Sequence, residues 1–167
     1  MSPFDPAPSA REASDHALHV TFVCTGNICR SPMAEKIFAE HLRRVALGDR
    51  VTVSSAGTHS FHVGSEADVR AVKILDLHGY PTDHVATAVG PYHLGAELVV
   101  ALAANHDRQL AQMGVPDERR RLLRSFDPNA DTTSVADPFY GDLEDFERVR
   151  RQIEAAVPGL LDWVRDW

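Results

Sequence analysis

Three observations predict an α/β fold: a single three-layer domain with a central parallel sheet of about four strands and helices on both faces. Short apolar, β-branched runs recur along the chain, amphipathic helical patterns lie between them, and neither an internal repeat nor a second composition regime breaks the alternation. Strands joined through helices form βαβ units with right-handed crossovers. The 167 residues suit one domain with a real core.

The elements follow in order. Residues 1–17, with Pro3, Pro6 and Pro8 and little apolar content, read as a flexible N-terminal tail, which leaves 18–167 as the folded domain. Leu18, Val20 and Phe22 alternate, and Val23 extends their apolar end, so 18–23 is a strand broken at Cys24-Thr25-Gly26-Asn27. A helix follows Ser31-Pro32, with Met33, Ala34, Ile37, Phe38, Leu42 and Val45 on one face and an exit at Gly48. Val51-Thr52-Val53-Ser54 is a second strand. Residues 66–77 read as a helix with Val69, Val72 and Leu75 inward, ended by Gly79 and Pro81. Residues 98–102 are uniformly apolar, as in a strand buried on both faces. Asn105 is placed to cap a helix through Met113, and 121–125 is a weaker strand candidate. Residues 126–141 have no periodicity and form a long loop. The last helix runs over 143–163, with Pro158 expected to kink or split it.

Composition excludes several classes. There is no apolar run near the roughly 20 residues of a membrane span, and the N-terminus lacks the apolar region of a secretory signal. Two cysteines make no disulfide scaffold, which points to a reducing, cytoplasmic setting. A net charge of -7 argues against nucleic acid as a partner. Arg119-Arg120-Arg121 reads as a solvated turn, and the nine histidines include no set with credible metal-ligand spacing, so no metal or cofactor is expected.

Ligands of such sheets bind beyond the carboxyl ends of the strands. There the segment Cys24-Thr25-Gly26-Asn27-Ile28-Cys29-Arg30-Ser31-Pro32 joins the first strand to the first helix. A cysteine at a helix N-terminus has its thiolate favoured by the dipole and the unpaired amides, and the same amides bind a tetrahedral oxyanion. Gly26 permits the sharp turn that lets successive amides face one ligand. Arg30 forks two hydrogen bonds onto phosphate oxygens, Ser31 can donate to the thiolate, and Pro32 suits the first helical turn. The segment as a whole is built for a thiolate attacking a bound phosphate. Displacing an oxygen also needs an acid to protonate it. The long loop offers Asp127, Asp131 and Asp137, and spacing alone does not choose, although Phe139 and Tyr140 beside Asp137 could sandwich an aromatic ring.

The same segment resembles the signature of the low-molecular-weight protein tyrosine phosphatases, and Asp137-Pro138-Phe139-Tyr140 resembles that family's late general-acid motif. Ser55-Ala56-Gly57-Thr58, His78-Gly79-Tyr80 and Asp83-His84 extend the similarity over about 18–164, most closely to mycobacterial and related actinobacterial members. The resemblance implies Cys24 as nucleophile, Arg30 as phosphate clamp, Ser31 as the thiolate's hydrogen-bond partner and Asp137 as general acid. Thr25, Gly26, Asn27, Ile28 and Cys29 would complete the phosphate loop, with Asn27 held to Ser31, Ser55 and His84. Phe61 would form one pocket wall, where mycobacterial members carry tryptophan, and Phe139 and Tyr140 the other. It further implies a metal-free phosphocysteine route with a bell-shaped, mildly acidic pH profile, a phosphotyrosine protein as partner, a cognate tyrosine kinase, a monomeric enzyme and, for some relatives, export without a signal peptide.

Three residues depart from the family pattern. Phe139 replaces the first of two tyrosines and removes a phosphorylation site, Phe61 replaces tryptophan, and Ala103 replaces an aspartate after the third strand, which is expected to loosen support beneath the phosphate loop. Cys29 reads either as a buried packing residue or as a thiol that resolves oxidised Cys24. Arsenate reductases of the same fold need further cysteines that this chain lacks. Protein arginine phosphatases carry threonine where this chain has Ile28.

Overall fold

The structure is a computed structural model that describes residues 17–167, so nearly all of the expected tail lies outside the described residues. Four strands, β1 (Leu18–Cys24), β2 (Val51–Gly57), β3 (Leu98–Ala101) and β4 (Arg120–Leu122), form one all-parallel sheet in the order β2-β1-β3-β4. Val20 pairs with Val53 on one side and Leu98 on the other. The chain thus leaves β1 outward in both directions, and the loop after Cys24 lies at the topological switch point.

Among the described residues five α-helices surround the sheet: α1 (Arg30–Arg44), α2 (Val69–Leu77), α3 (Pro91–Leu94), α4 (Ala104–Gln112) and α5 (Leu143–Asp166). Val20, Phe22, Leu98 and Val100 face the larger core, shared with Met33, Ile37 and Phe38 of α1, Ile74 and Leu75 of α2, and Phe146, Val149 and Ile153 of α5. Val23, Val99 and Ala101 face the opposite way onto Leu110 of α4 and Val115. Burial on both faces is why β1 and β3 carry near-continuous apolar runs.

Several expectations are corrected. Helix α2 begins at Val69, because Asp68 caps it by accepting the Arg70 N–H at 2.9 Å; Val69 is 80% exposed, and the inward face is Ala71, Ile74 and Leu75. The exit of α1 runs through Ala46 at φ 62° rather than through Gly48, and Val45 is left exposed. Asn105 lies inside α4, whose N-cap position is Ala103. Only 120–122 is strand, and Leu123–Phe126 tightens into a 3-10 turn. The arginine run is no solvated turn: Arg119 donates to the carbonyls of Leu94 and Ala96, and Arg120 to Asp107 and the Val115 carbonyl. Helix α5 continues through Pro158, since Val157, Leu160 and Leu161 pack into the core around it and outweigh the lost backbone bond. No helix among the described residues is long and apolar enough to cross a membrane.

Candidate active site

Residues 24–30 wrap from the end of β1 into α1. Their carbonyls are turned outward into the surrounding elements. Those of Cys24 and Thr25 accept the N–H groups of Thr58 and His59, that of Ile28 accepts from Asp68, and that of Asn27 accepts from His84 Nε2 at 2.7 Å. Among the described residues the N–H groups of 26–29 meet no protein acceptor, as an anion-binding loop requires.

Asn27 occupies the left-handed region at φ 59° and is fully buried. Its Nδ2 donates to Ser31 Oγ at 2.8 Å and to Ser55 Oγ at 3.0 Å, while its Oδ1 accepts the Thr87 N–H at 2.9 Å. Each serine hydroxyl therefore has its own proton left to give. Ser55 gives it to Glu35 Oε1 at 2.6 Å, and Ser31 stands 3.0 Å from Cys24 Sγ, where that proton can be given to the sulfur. His84 reaches the Asn27 backbone carbonyl, not its side chain.

Arg30 opens α1 and is 5% exposed. Its Nη1 donates to the Val135 carbonyl at 2.9 Å, and its Nη2 lies 3.6 Å from Asp137 Oδ2. The other Asp137 oxygen accepts the Phe139 N–H at 3.1 Å. Of the three aspartates the sequence left open, Asp137 alone lines the cleft, since Asp127 and Asp131 pair with Arg124 at 3.9 and 3.2 Å. The cleft, of about 210 Å³, is floored by Cys24, Thr25, Gly26, Ile28, Cys29 and Arg30 and walled by Phe61, His62, Phe139 and Tyr140. Phe61 stacks on His59 at 5.2 Å, and Phe139 meets Tyr140 edge to face at 4.9 Å.

The sequence reading missed four contributors. His62 joins the cleft wall and sits where a Cβ on Gly26 would meet its Cδ2 at 2.8 Å, so the glycine was the only signal of that close approach. His106 is completely buried beneath the loop and shares a hydrogen bond with Thr25 Oγ1 at 2.9 Å. Burial, with help from the charges of Arg30 and His59, pushes its pKa down to about 3, so it is neutral, and among the described residues its Nδ1 has no partner. The Val135 carbonyl is backbone and leaves no trace in the sequence. Arg70, paired with Asp68 at 2.8 Å, donates to the Gly141 carbonyl at 2.8 Å and lies over the Phe139 and Phe146 rings, joining α2 to the loop that carries Asp137.

Cys29 is buried, and burial, followed by the charges of Asp68, Cys24 and Asp137, pushes its thiol far above the usual range. It packs into the main core cluster, and burial favours its protonated form. Ala103 gives α4 no side-chain cap; the Ala104 N–H is met instead by Ser134 Oγ at 2.8 Å.

A family model described as low molecular weight phosphotyrosine protein phosphatase matches residues 19–166. The low molecular weight protein-tyrosine phosphatase A of Mycobacterium tuberculosis is 62% identical over 149 residues, covering 88% of this chain and 91% of the relative. A protein tyrosine phosphatase structure from Entamoeba histolytica, with Hepes in its active site, superposes with a TM-score of 0.85 at 29% identity, covering 90% of this chain and 98% of that one. A drosophila arginine phosphatase structure superposes with a TM-score of 0.80 at 28% identity, covering 86% and 95%.

Proposed function

The chain belongs to the low molecular weight phosphotyrosine protein phosphatase family, and from that premise we propose how its own residues carry the hydrolysis of phosphotyrosine on a protein substrate. It is a cysteine-dependent protein-tyrosine phosphatase. The observation that carries the mechanism is the placement of Cys24 Sγ, Arg30 and Asp137 around one aromatic-walled cleft.

The phosphate seats on the amides of the loop and on the fork of Arg30, which displaces Asp137 from its 3.6 Å contact with that arginine. Cys24 Sγ attacks phosphorus in line as the aryl oxygen departs, and Asp137 gives that oxygen a proton. An S–P bond has formed and an O–P bond has broken. Asp137, now ionised, takes a proton from water, whose oxygen attacks phosphorus and expels Cys24 as thiolate. The proton that Ser31 directs at Sγ, 3.0 Å away, stabilises the leaving sulfur. Arg30 and the amides supply the positive charge throughout, so the route as proposed calls for no metal.

Phe61 on one side and Phe139 with Tyr140 on the other suit a flat ring between them. Ile28 in the floor gives an apolar contact to such a ring and nothing for a phosphoguanidinium to bond, which supports tyrosine over arginine. The expected partner is a phosphotyrosine protein, with a cognate tyrosine kinase acting in opposition. The expected setting is cytoplasmic, with export without a signal peptide as a further expectation, and the enzyme is expected to act as a monomer.

The test is hydrolysis of a phosphotyrosine peptide in EDTA by wild type and Cys24→Ser, with a phosphoarginine peptide alongside. Turnover of phosphotyrosine that is abolished in C24S supports the mechanism. Faster turnover of phosphoarginine would reassign the substrate, and turnover surviving in C24S would remove the nucleophile.

A further inference from the structure

We propose that Ser134 is a positioning residue that aims Asp137, a role that rests on the phosphatase reading above. Residues 127–142 contain no regular secondary structure, and Asp137 has a side chain 50% exposed, so its own packing does not hold it. What fixes this stretch is a short strap just before it. Ser134 Oγ accepts the Ala104 N–H at 2.8 Å, and the next residue, Val135, donates its N–H to the Leu102 carbonyl at 2.8 Å. Both anchors lie at the junction of β3 and α4. From this strap the Val135 carbonyl holds Arg30, and two residues later Asp137 reaches the same guanidinium. Thr132 Oγ1 donates to the Ser134 carbonyl at 3.1 Å and braces the strap from upstream.

Ala103 offers α4 no side-chain acceptor. The first N–H of α4 is one of the helix's orphan donors, and since a side chain at the N-cap position accepts from the second or third N–H, this first donor needs a partner from elsewhere in the fold. In this chain the capping oxygen is supplied from the acid loop itself, so one hydrogen bond both closes α4 and fixes the loop. Removing the hydroxyl leaves Val135 as the single anchor at this junction, and Asp137 swings while Arg30 keeps its place in α1.

Loss of aim in a general acid has a chemical signature, because a poor leaving group needs the proton more than a good one. The experiment compares kcat/KM for phenyl phosphate and p-nitrophenyl phosphate in wild type, Ser134→Ala and Ser134→Thr, with thermal melts of each. S134A is expected to lose about tenfold on phenyl phosphate and under about threefold on p-nitrophenyl phosphate, with S134T near wild type. Equal losses on both substrates, or no loss on either, would overturn the proposal. Should S134A be too unstable to assay, Ser134→Cys, a weaker acceptor, gives the same contrast at smaller size. A wild type that turns over neither aryl phosphate would instead bring down the phosphatase reading itself.

Discussion

Asn27 holds a backbone conformation, φ 59°, that costs most side chains about 1 kcal/mol and that asparagine tolerates better than others. The position is kept by what the amide does there: two donations that orient Ser31 and Ser55, and one acceptance from Thr87. Replacing Asn27 with alanine leaves these buried groups without their common partner and retains the strain. It should destabilise the protein by about 3 kcal/mol and lower kcat at least about tenfold. Asn27→Gly relieves the strain without restoring the hydrogen bonds, so denaturant melts should show part of the stability recovered while kcat stays low. A glycine variant with wild-type kcat would mean that the site needs only the turn, not the amide that directs the Ser31 proton at Cys24.

Helix α5 shows how an element can obey a rule the sequence makes visible and a constraint it hides. Pro158 was the visible feature and invited a break; Gly159 is the constraint. A Cβ there would collide with the Phe126 carbonyl and stand 3.0 Å from Phe126 Cβ, because α5 presses directly onto the 3-10 turn that opens the acid loop. Gly159→Ala should therefore destabilise by about 1–3 kcal/mol, although alanine is the better helix former, and urea melts give the sign directly. A gain in stability would show that helix and turn can part without cost. The same contrast runs through the chain. Strands β1 and β3, the amphipathic faces of α1 and α5, and the loop from Cys24 to Arg30 were legible, because periodicity and a contiguous motif are local. Asp137 was chosen among three loop aspartates only through resemblance; what separates it physically is that Arg124 draws in the other two, one of them three residues on and the other seven, through the way the loop folds. His106 stands 81 residues from Thr25, and Ser134 lies 30 from Ala104; neither bond has a local signature.

At the scale of the whole molecule, burying His106 beneath the phosphate loop ties global stability to pH. An ordinary histidine titrates near 6.5, whereas His106 in the folded protein does so near 3, held there chiefly by burial. Above pH 6.5 both folded and unfolded chains keep it neutral, and it imposes no penalty. Between 6.5 and about 3 the unfolded chain binds a proton that the folded chain refuses, so stability falls as pH falls, by up to about 1.4 kcal/mol per pH unit. From pH 8 to pH 5 this single group should cost about 2 kcal/mol. His41 and His93 are also lowered by burial and steepen the same slope. His106→Gln, which offers Thr25 an amide and has nothing to titrate, should be less stable than wild type at pH 8 but lose about 2 kcal/mol less on going to pH 5, as read from urea midpoints at the two pH values. Parallel losses in the two proteins would show that His106 takes up its proton within the fold. Because the reaction is expected to run fastest on the mildly acidic side, the enzyme would work on this slope: the group that braces its phosphate loop is also the one that makes the fold weaken as the medium acidifies.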